Sequence, residues 1–177
     1  MSKNIDPKPL TLDQIATTIE ATPAVLSALI KSLPPEVTQW KATTNEWCIN
    51  EVIGHIIEAD RHGFDGRIRT IASQNQVRLQ GWAINKTAES RRDCEKPVAI
   101  LLDELTQMRK ASADMIRELR TDALDNIGHH PAVGELKVVD ILHEWVYHDQ
   151  NHVKQIQSNI QAYLWPNLGT TQKFSSL

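Results

Sequence analysis

The stretch Val138-Val139-Asp140-Ile141-Leu142-His143-Glu144-Trp145-Val146-Tyr147-His148-Asp149-Gln150-Asn151-His152-Val153-Lys154-Gln155-Ile156 opens a helical pattern that runs to about Tyr163. On a wheel turning about 100° per residue, Leu142, Trp145, Ile156 and Ile160 fall within about 40° of Val138, which is one core-facing stripe. Pro166 stops it. His152 lies on the edge of that stripe and His148 beside it, one turn earlier. An i, i+4 histidine pair on one helical face can reach a single metal ion, and imidazole is a common ligand for zinc and suits nickel, copper and iron.

Outward from this helix, three more segments repeat the pattern. A long one runs from Ile49 to about Ser73, with Val52, Ile56, Ala59 and Gly63 on one side and Ile53, Ile57, Phe64, Ile68 and Ile71 beside them. Another opens at Pro97 and carries Val98, Leu101, Leu102, Leu105, Met108, Ser112, Ile116 and Leu119, ending near Arg120. In the first part of the chain, Thr22 followed by Pro23 reads as an N-cap with proline at the first helical position, opening a helix to Leu33, where Pro34 and Pro35 end it. Leu12 and Ile15 mark a short face before it. Residues 74–95 have no clear period and read as a long crossover, with a helical turn near Thr87–Arg91; Asp122–Glu135, with Gly128, Pro131 and Gly134, reads as irregular. No period-two run marks a strand. The expected architecture is all-α, a four-helix bundle with one long crossover, arranged as a flexible arm over residues 1–10, one domain over 11–165 and a tail over 166–177.

The composition of this 177-residue chain agrees with that reading and excludes several functions. Apolar residues make up 41% and charged residues 23%, ordinary for a globular domain. A net charge of −3 with no basic run argues against nucleic-acid binding. No apolar run approaches the roughly 20 residues that span a bilayer, and the polar start lacks a signal sequence, so no membrane partner and a cytoplasmic address are expected. The two cysteines, Cys48 and Cys94, have neither the number nor the spacing of a disulfide framework or a cysteine-based zinc site.

His55 is the third candidate ligand, because it sits at the flank of the stripe made by Val52, Ile56 and Ala59 and points toward the bundle axis. Three neutral histidines from two helices would leave positions on a metal open, as catalysis requires. His62, on nearly the same face, is a substitute for His55. Two charges lie where apolar residues belong: Arg109, between Leu105 and Ser112, and Asp149, near the centre of the last stripe. Buried charges need partners. Either these two pair with each other, or Asp149 serves the site while Arg109 meets another carboxylate such as Asp60, or both reach the rim. Glu144, one turn before His148, is a candidate supporting carboxylate, and Glu144 and Asp149 are the candidate catalytic acids or bases. His129 and His130 fall in a loop, and His143 should face outward.

The order Trp47-Cys48-Ile49-Asn50-Glu51-Val52-Ile53-Gly54-His55-Ile56-Ile57-Glu58-Ala59-Asp60, then Gly134-Glu135-Leu136-Lys137-Val138, then His148-Asp149-Gln150-Asn151-His152, resembles the DinB-like superfamily of helical metal-binding proteins over about Thr22–Tyr163. The resemblance implies a four-helix bundle whose divalent metal, zinc or nickel, is held by His55, His148 and His152. It also implies relatives among bacillithiol- or mycothiol-dependent transferases, a mycothiol-dependent maleylpyruvate isomerase and metal-dependent hydrolases, with homodimers common. The expected function is thus activation of a water, or of a low-molecular-weight thiol as cosubstrate, against a small electrophilic substrate; the alternative is a non-catalytic metal- or ligand-binding stress-response protein. The chain departs from the family pattern at Cys48 and Lys137, where capping Ser or Thr residues are usual, a change worth about 1 kcal/mol per cap.

Overall fold

The computed structural model describes residues 6–176, with the backbone alone for 84–86, 175 and 176. Four rods form a bundle. They are α1 (Leu12–Ile30), α3 (Ile49–Glu58) continuing through a π turn (Ala59–Phe64) into α4 (Asp65–Ser73), α6 (Val98–Arg117) and α7 (Val138–Leu164). Short helices α2 (Pro35–Gln39) and α5 (Ile84–Arg91) lie in the connections, and 3₁₀ turns follow α7 from Trp165 to Ser176. Residues 1–5 of the expected arm lie outside the described residues, while 6–10 are exposed.

The first rod corrects the sequence reading. Its start is Thr11, whose hydroxyl accepts from the Gln14 amide while the Gln14 side chain accepts from the Thr11 amide, so both halves of a capping box are present. Pro23 therefore sits inside the helix, where it leaves the carbonyl of Ile19 without its usual partner. Arg109 Nη1, from α6, donates to that carbonyl at 3.2 Å. A helix interior tolerates the proline because a distant side chain supplies the missing N–H.

The second rod carries a π turn for a geometric reason. Along an unbroken α-helix, Ile68 would stand about 160° from Val52, far from the core. One extra residue in the wide turn removes about 100° of that rotation, and Ile68 and Ile71 are fully buried. At Cys48 and Lys137 the missing hydroxyl caps are partly replaced by carboxylates, since Glu51 accepts from the Cys48 amide at 2.9 Å and Asp140 from the Lys137 amide at 3.3 Å.

The core falls into two apolar halves. One gathers Ile15, Ile19, Phe64, Ile68, Ile116, Leu142 and Trp145; the other Leu26, Ile30, Ile53, Ile57, Leu101, Leu105 and Ile156. Between them each rod contributes buried polar residues: Thr22, Asp60, Arg109 and Asp149. The bundle has a polar waist at mid-height.

The connections hold a small sheet in place of purely irregular chain. β1 (Val77–Arg78) runs parallel to β2 (Ile127–His130), which pairs antiparallel with β3 (Gly134–Lys137). Strands of two and four residues are too short to show alternation. Gly128 makes room there, because a Cβ would stand 2.7 Å from Ile71 Cδ1 and force that side chain to shift. Cys48 and Cys94, 46 residues apart, are joined as a disulfide that ties the start of α3 to the end of the crossover. This overturns the expectation drawn from their number and spacing, because the fold brings together what the sequence separates. Protein unfolded without reductant should therefore show no reactive thiol, and two after reduction. Two thiols before reduction would refute the bond. Among the described residues no helix is long and apolar enough to cross a membrane.

Candidate functional site

Beside the waist stand three imidazoles. His148 and His152 come from successive turns of α7 and His55 from α3. His148 Nε2 lies 3.2 Å from His55 Nε2 and 3.1 Å from His152 Nε2, and the group contains, among the described residues, no fourth histidine, cysteine or carboxylate. These three are the residues the sequence singled out. His62, the substitute for His55, is half exposed and lies 3.3 Å from Glu58 instead.

Packing and one hydrogen bond aim the rings. His152 Nδ1 lies 2.8 Å from Gln155 Oε1, so it donates there and its Nε2 lone pair faces the other two rings. His55 is flanked by Trp47 and Trp82, with ring centroids at 4.9 and 6.1 Å, and Phe64 lies edge-on to His148 at 5.0 Å. His148 Nδ1 is buried without a partner among the described residues, so packing alone sets that ring.

Burial keeps all three neutral. It lowers His55 to about 4, with His152 adding repulsion, and His148 to about 3, with His152, His55 and Arg109 adding to the effect. His152 is lowered by burial against the opposing pull of Gln155 and Asp149. Three neutral nitrogens crowded together cannot all be satisfied by one another, because a proton between two leaves the third facing a lone pair. Nitrogens sharing one zinc ion at about 2.1 Å in tetrahedral geometry lie about 3.4 Å apart, close to the spacing found here. The donor set fits a divalent cation.

Next to the triad, the charges at the waist satisfy one another. Arg109 Nη1 and Nη2 fork onto Asp149 at 2.5 and 2.7 Å while its Nε donates to Asp60 at 2.6 Å. Thr22 donates to Asp149 at 2.6 Å and Trp145 Nε1 to Asp60 at 2.8 Å. Both partnerships suggested for Arg109 thus exist together, and neither charge reaches the rim. Two carboxylates share one guanidinium out of water, and burial pushes Asp60 up to about 7 against the pull of Arg109. Asp149 is engaged on both oxygens and fully buried, so it offers no oxygen to a substrate. Glu144 differs: it is exposed and lines a cavity of about 370 Å³ beside Phe64.

Other histidines have other tasks. His143 is half-buried, not outward-facing: it donates through Nδ1 to the Val139 carbonyl and accepts at Nε2 from the Leu10 amide, holding the arm against α7. His129 contacts Gln76 at 2.6 Å. The residues the sequence reading missed are Thr22, Trp145, Gln155 and the aromatic wall of Trp47, Phe64 and Trp82. Gln155 stands three residues after His152 on the same helix, a spacing that could have disclosed it.

Comparison with known proteins adds kinship. Residues 18–156 match the DinB superfamily profile. A Bacillus cereus (strain 03BB102) protein named "Putative metal-dependent hydrolase" is 22% identical over 161 residues, covering 89% of this chain and 92% of that protein; a like-named protein of Bacillus thuringiensis subsp. konkukian (strain 97-27) matches to the same extent. Among solved structures, YfiT from Bacillus subtilis, described as a probable metal-dependent hydrolase with an unusual four-helix bundle topology, superposes with a TM-score of 0.79 at 14% identity, covering 93% of this chain and 96% of that one. The profile match spans most of the chain and takes in every residue of the triad and the waist, and on that ground the chain belongs to the DinB superfamily.

Proposed function

We propose that the protein is a metal-dependent enzyme whose divalent cation is held by His55, His148 and His152, and that it transfers a small electrophile to water or to a low-molecular-weight thiol. The observation that carries this reading is the convergence of three neutral imidazoles, with the Nε2 atoms of His55 and His152 within 3.2 Å of that of His148 and no fourth ligand among the described residues. Three protein ligands are the mark of a catalytic centre, whereas structural sites close with four. The names of the Bacillus relatives support hydrolysis. A cation held there acidifies a water or thiol toward neutral pH.

The chain's own residues supply the rest. Gln155 fixes the tautomer of His152, and hydrogen-bonding partners of this kind keep a ligand ring aimed. Trp47, Trp82 and Phe64 shield the rings from water on the sides they cover. Arg109 holds Asp149 in the turn between the two α7 histidines and thereby fixes their backbone. Asp149, engaged on both oxygens, is not free to accept a proton, which leaves exposed Glu144 as the candidate base.

Untagged protein should carry about one zinc or nickel per chain, the two metals such a histidine set suits. Stripping it should abolish turnover of activated esters or of thiol addition to a small electrophile, and adding the metal back should restore whichever reaction is native. Metal without either turnover would favour the binding-protein alternative, and absence of metal would refute the centre.

A further inference from the structure

Arg67, on α4, is a half-buried cation that forms no ion pair among the described residues, with Asp140 and Glu144 the carboxylates on one of its cavity walls. It borders two cavities: one of about 470 Å³ with Arg61, His62, Arg78 and Trp82 in its wall, and the 370 Å³ cavity beside Phe64 and Glu144. Each cavity lies one aromatic ring from the triad, since Trp82 stacks on His55 and Phe64 packs on His148. Among the described residues, neither Arg67 nor Arg78 forms an ion pair. Arg61, on that same wall, is already paired with Glu58 and Glu104.

The one polar contact of Arg67 does not satisfy it. Nη2 lies 3.1 Å from His130 Nε2. His130 Nδ1 accepts from the Ala132 amide at 3.2 Å, and a neutral imidazole that accepts at one nitrogen carries its proton on the other. Both contacts ask His130 to accept, and one neutral tautomer cannot serve both. Arg67 Nε is buried with no partner, and burial disfavours the charge on both groups. A guanidinium with an unpartnered Nε and a second arginine outside any ion pair on the same cavity wall offer donors suited to an oxyanion.

We propose that Arg67, with Arg78, binds an oxyanion, the carboxylate or phosphate of a small substrate whose reacting end lies at the triad. The guanidinium fork matches two oxygens of such a group. Proximity of the reacting end to the triad rests on the metal-dependent reading above; binding of the anion does not. The substrate class is thereby narrowed to small anionic electrophiles or anionic thiols.

The test titrates the full-length protein, metal-loaded and metal-stripped, with inorganic phosphate and separately with acetate at constant ionic strength. Calorimetry and the Arg67 Nε–H NMR signal report binding. One saturable site is expected for at least one anion in both metal states, weakened at least about tenfold in Arg67→Met, as loss of a bidentate contact implies. Arg67→Lys, which keeps the charge and loses the fork, should fall between, and the distant Arg117→Met should bind like wild type. The preferred anion distinguishes a carboxylate-bearing from a phosphate-bearing substrate. Absence of saturable binding, or equal binding by wild type and a folded Arg67→Met protein, would overturn the proposal. A failure of metal binding alone would leave it standing and remove only the catalytic reading.

Discussion

Replacement of Arg109 by Met should lower the unfolding free energy by about 3–5 kcal/mol, the penalty for stranding a buried charge. Three debts arise from one side chain. Asp60 and Asp149 are left facing each other out of water, and the Ile19 carbonyl loses the donor that stands in for the Pro23 N–H. Lysine should rescue little, because one ammonium cannot fork onto Asp149 and reach Asp60 as well. The loss should be smallest at acid pH. Asp60 is raised to about 7 in the folded wild type, above its ordinary 3.8, so its contribution to stability is present at low pH and is lost as pH rises through 7. Without Arg109 its pKa rises further, and the variant should weaken more steeply toward alkaline pH. Urea melts of wild type, Arg109→Met and the triple variant Arg109→Met/Asp60→Asn/Asp149→Asn at several pH values measure this. A change below about 1 kcal/mol for the single variant would show that water reaches the waist.

His148→Ala should reduce metal affinity by more than about 100-fold, since even a partner behind a ligand is worth about 10–100-fold. His148 is the centre of the group: its Nε2 lies within 3.2 Å of both other nitrogens. Elemental analysis of dialysed protein reads the loss, and far-UV circular dichroism shows whether the helices persist. Helices are expected to persist, because the ring belongs to neither apolar half-core. One equivalent of metal retained by a folded variant would dismantle the triad.

Much of this was legible in the sequence because helical periodicity is a local signal. The rods at Ile49 and Val138 begin as read, the one expected to open at Pro97 begins one residue later at Val98, and the spacing of His148 and His152 follows from the pitch of one helix. Buried Arg109 and Asp149 were visible as charges inside apolar stripes. What escaped depends on contacts between distant segments. Pro23 reads as a helix start unless Arg109 is known to satisfy Ile19, ninety residues away. The π turn hides in what reads as one wide face on the second rod, where two offset faces are joined by an extra residue. Cys48 and Cys94 meet only because the crossover returns to the start of α3. Arg67 resembles any surface arginine until it is seen in three dimensions to be half-buried and, among the described residues, outside every ion pair.

The polar waist also settles how the rods are aligned along their length. Greasy faces of leucine and isoleucine would pack almost as well after a slip of one helical turn, about 5.4 Å. Arg109 does not permit that slip: moving α6 by a turn would pull its fork from Asp149 and its Nε from Asp60 at once, stranding three ions. The same clamp that binds α6 to α7 and to the rod bearing His55 thus sets the height at which the imidazoles meet. An ionic layer that contributes nothing to chemistry directly becomes the ruler by which two separate helices bring their ligands to one level.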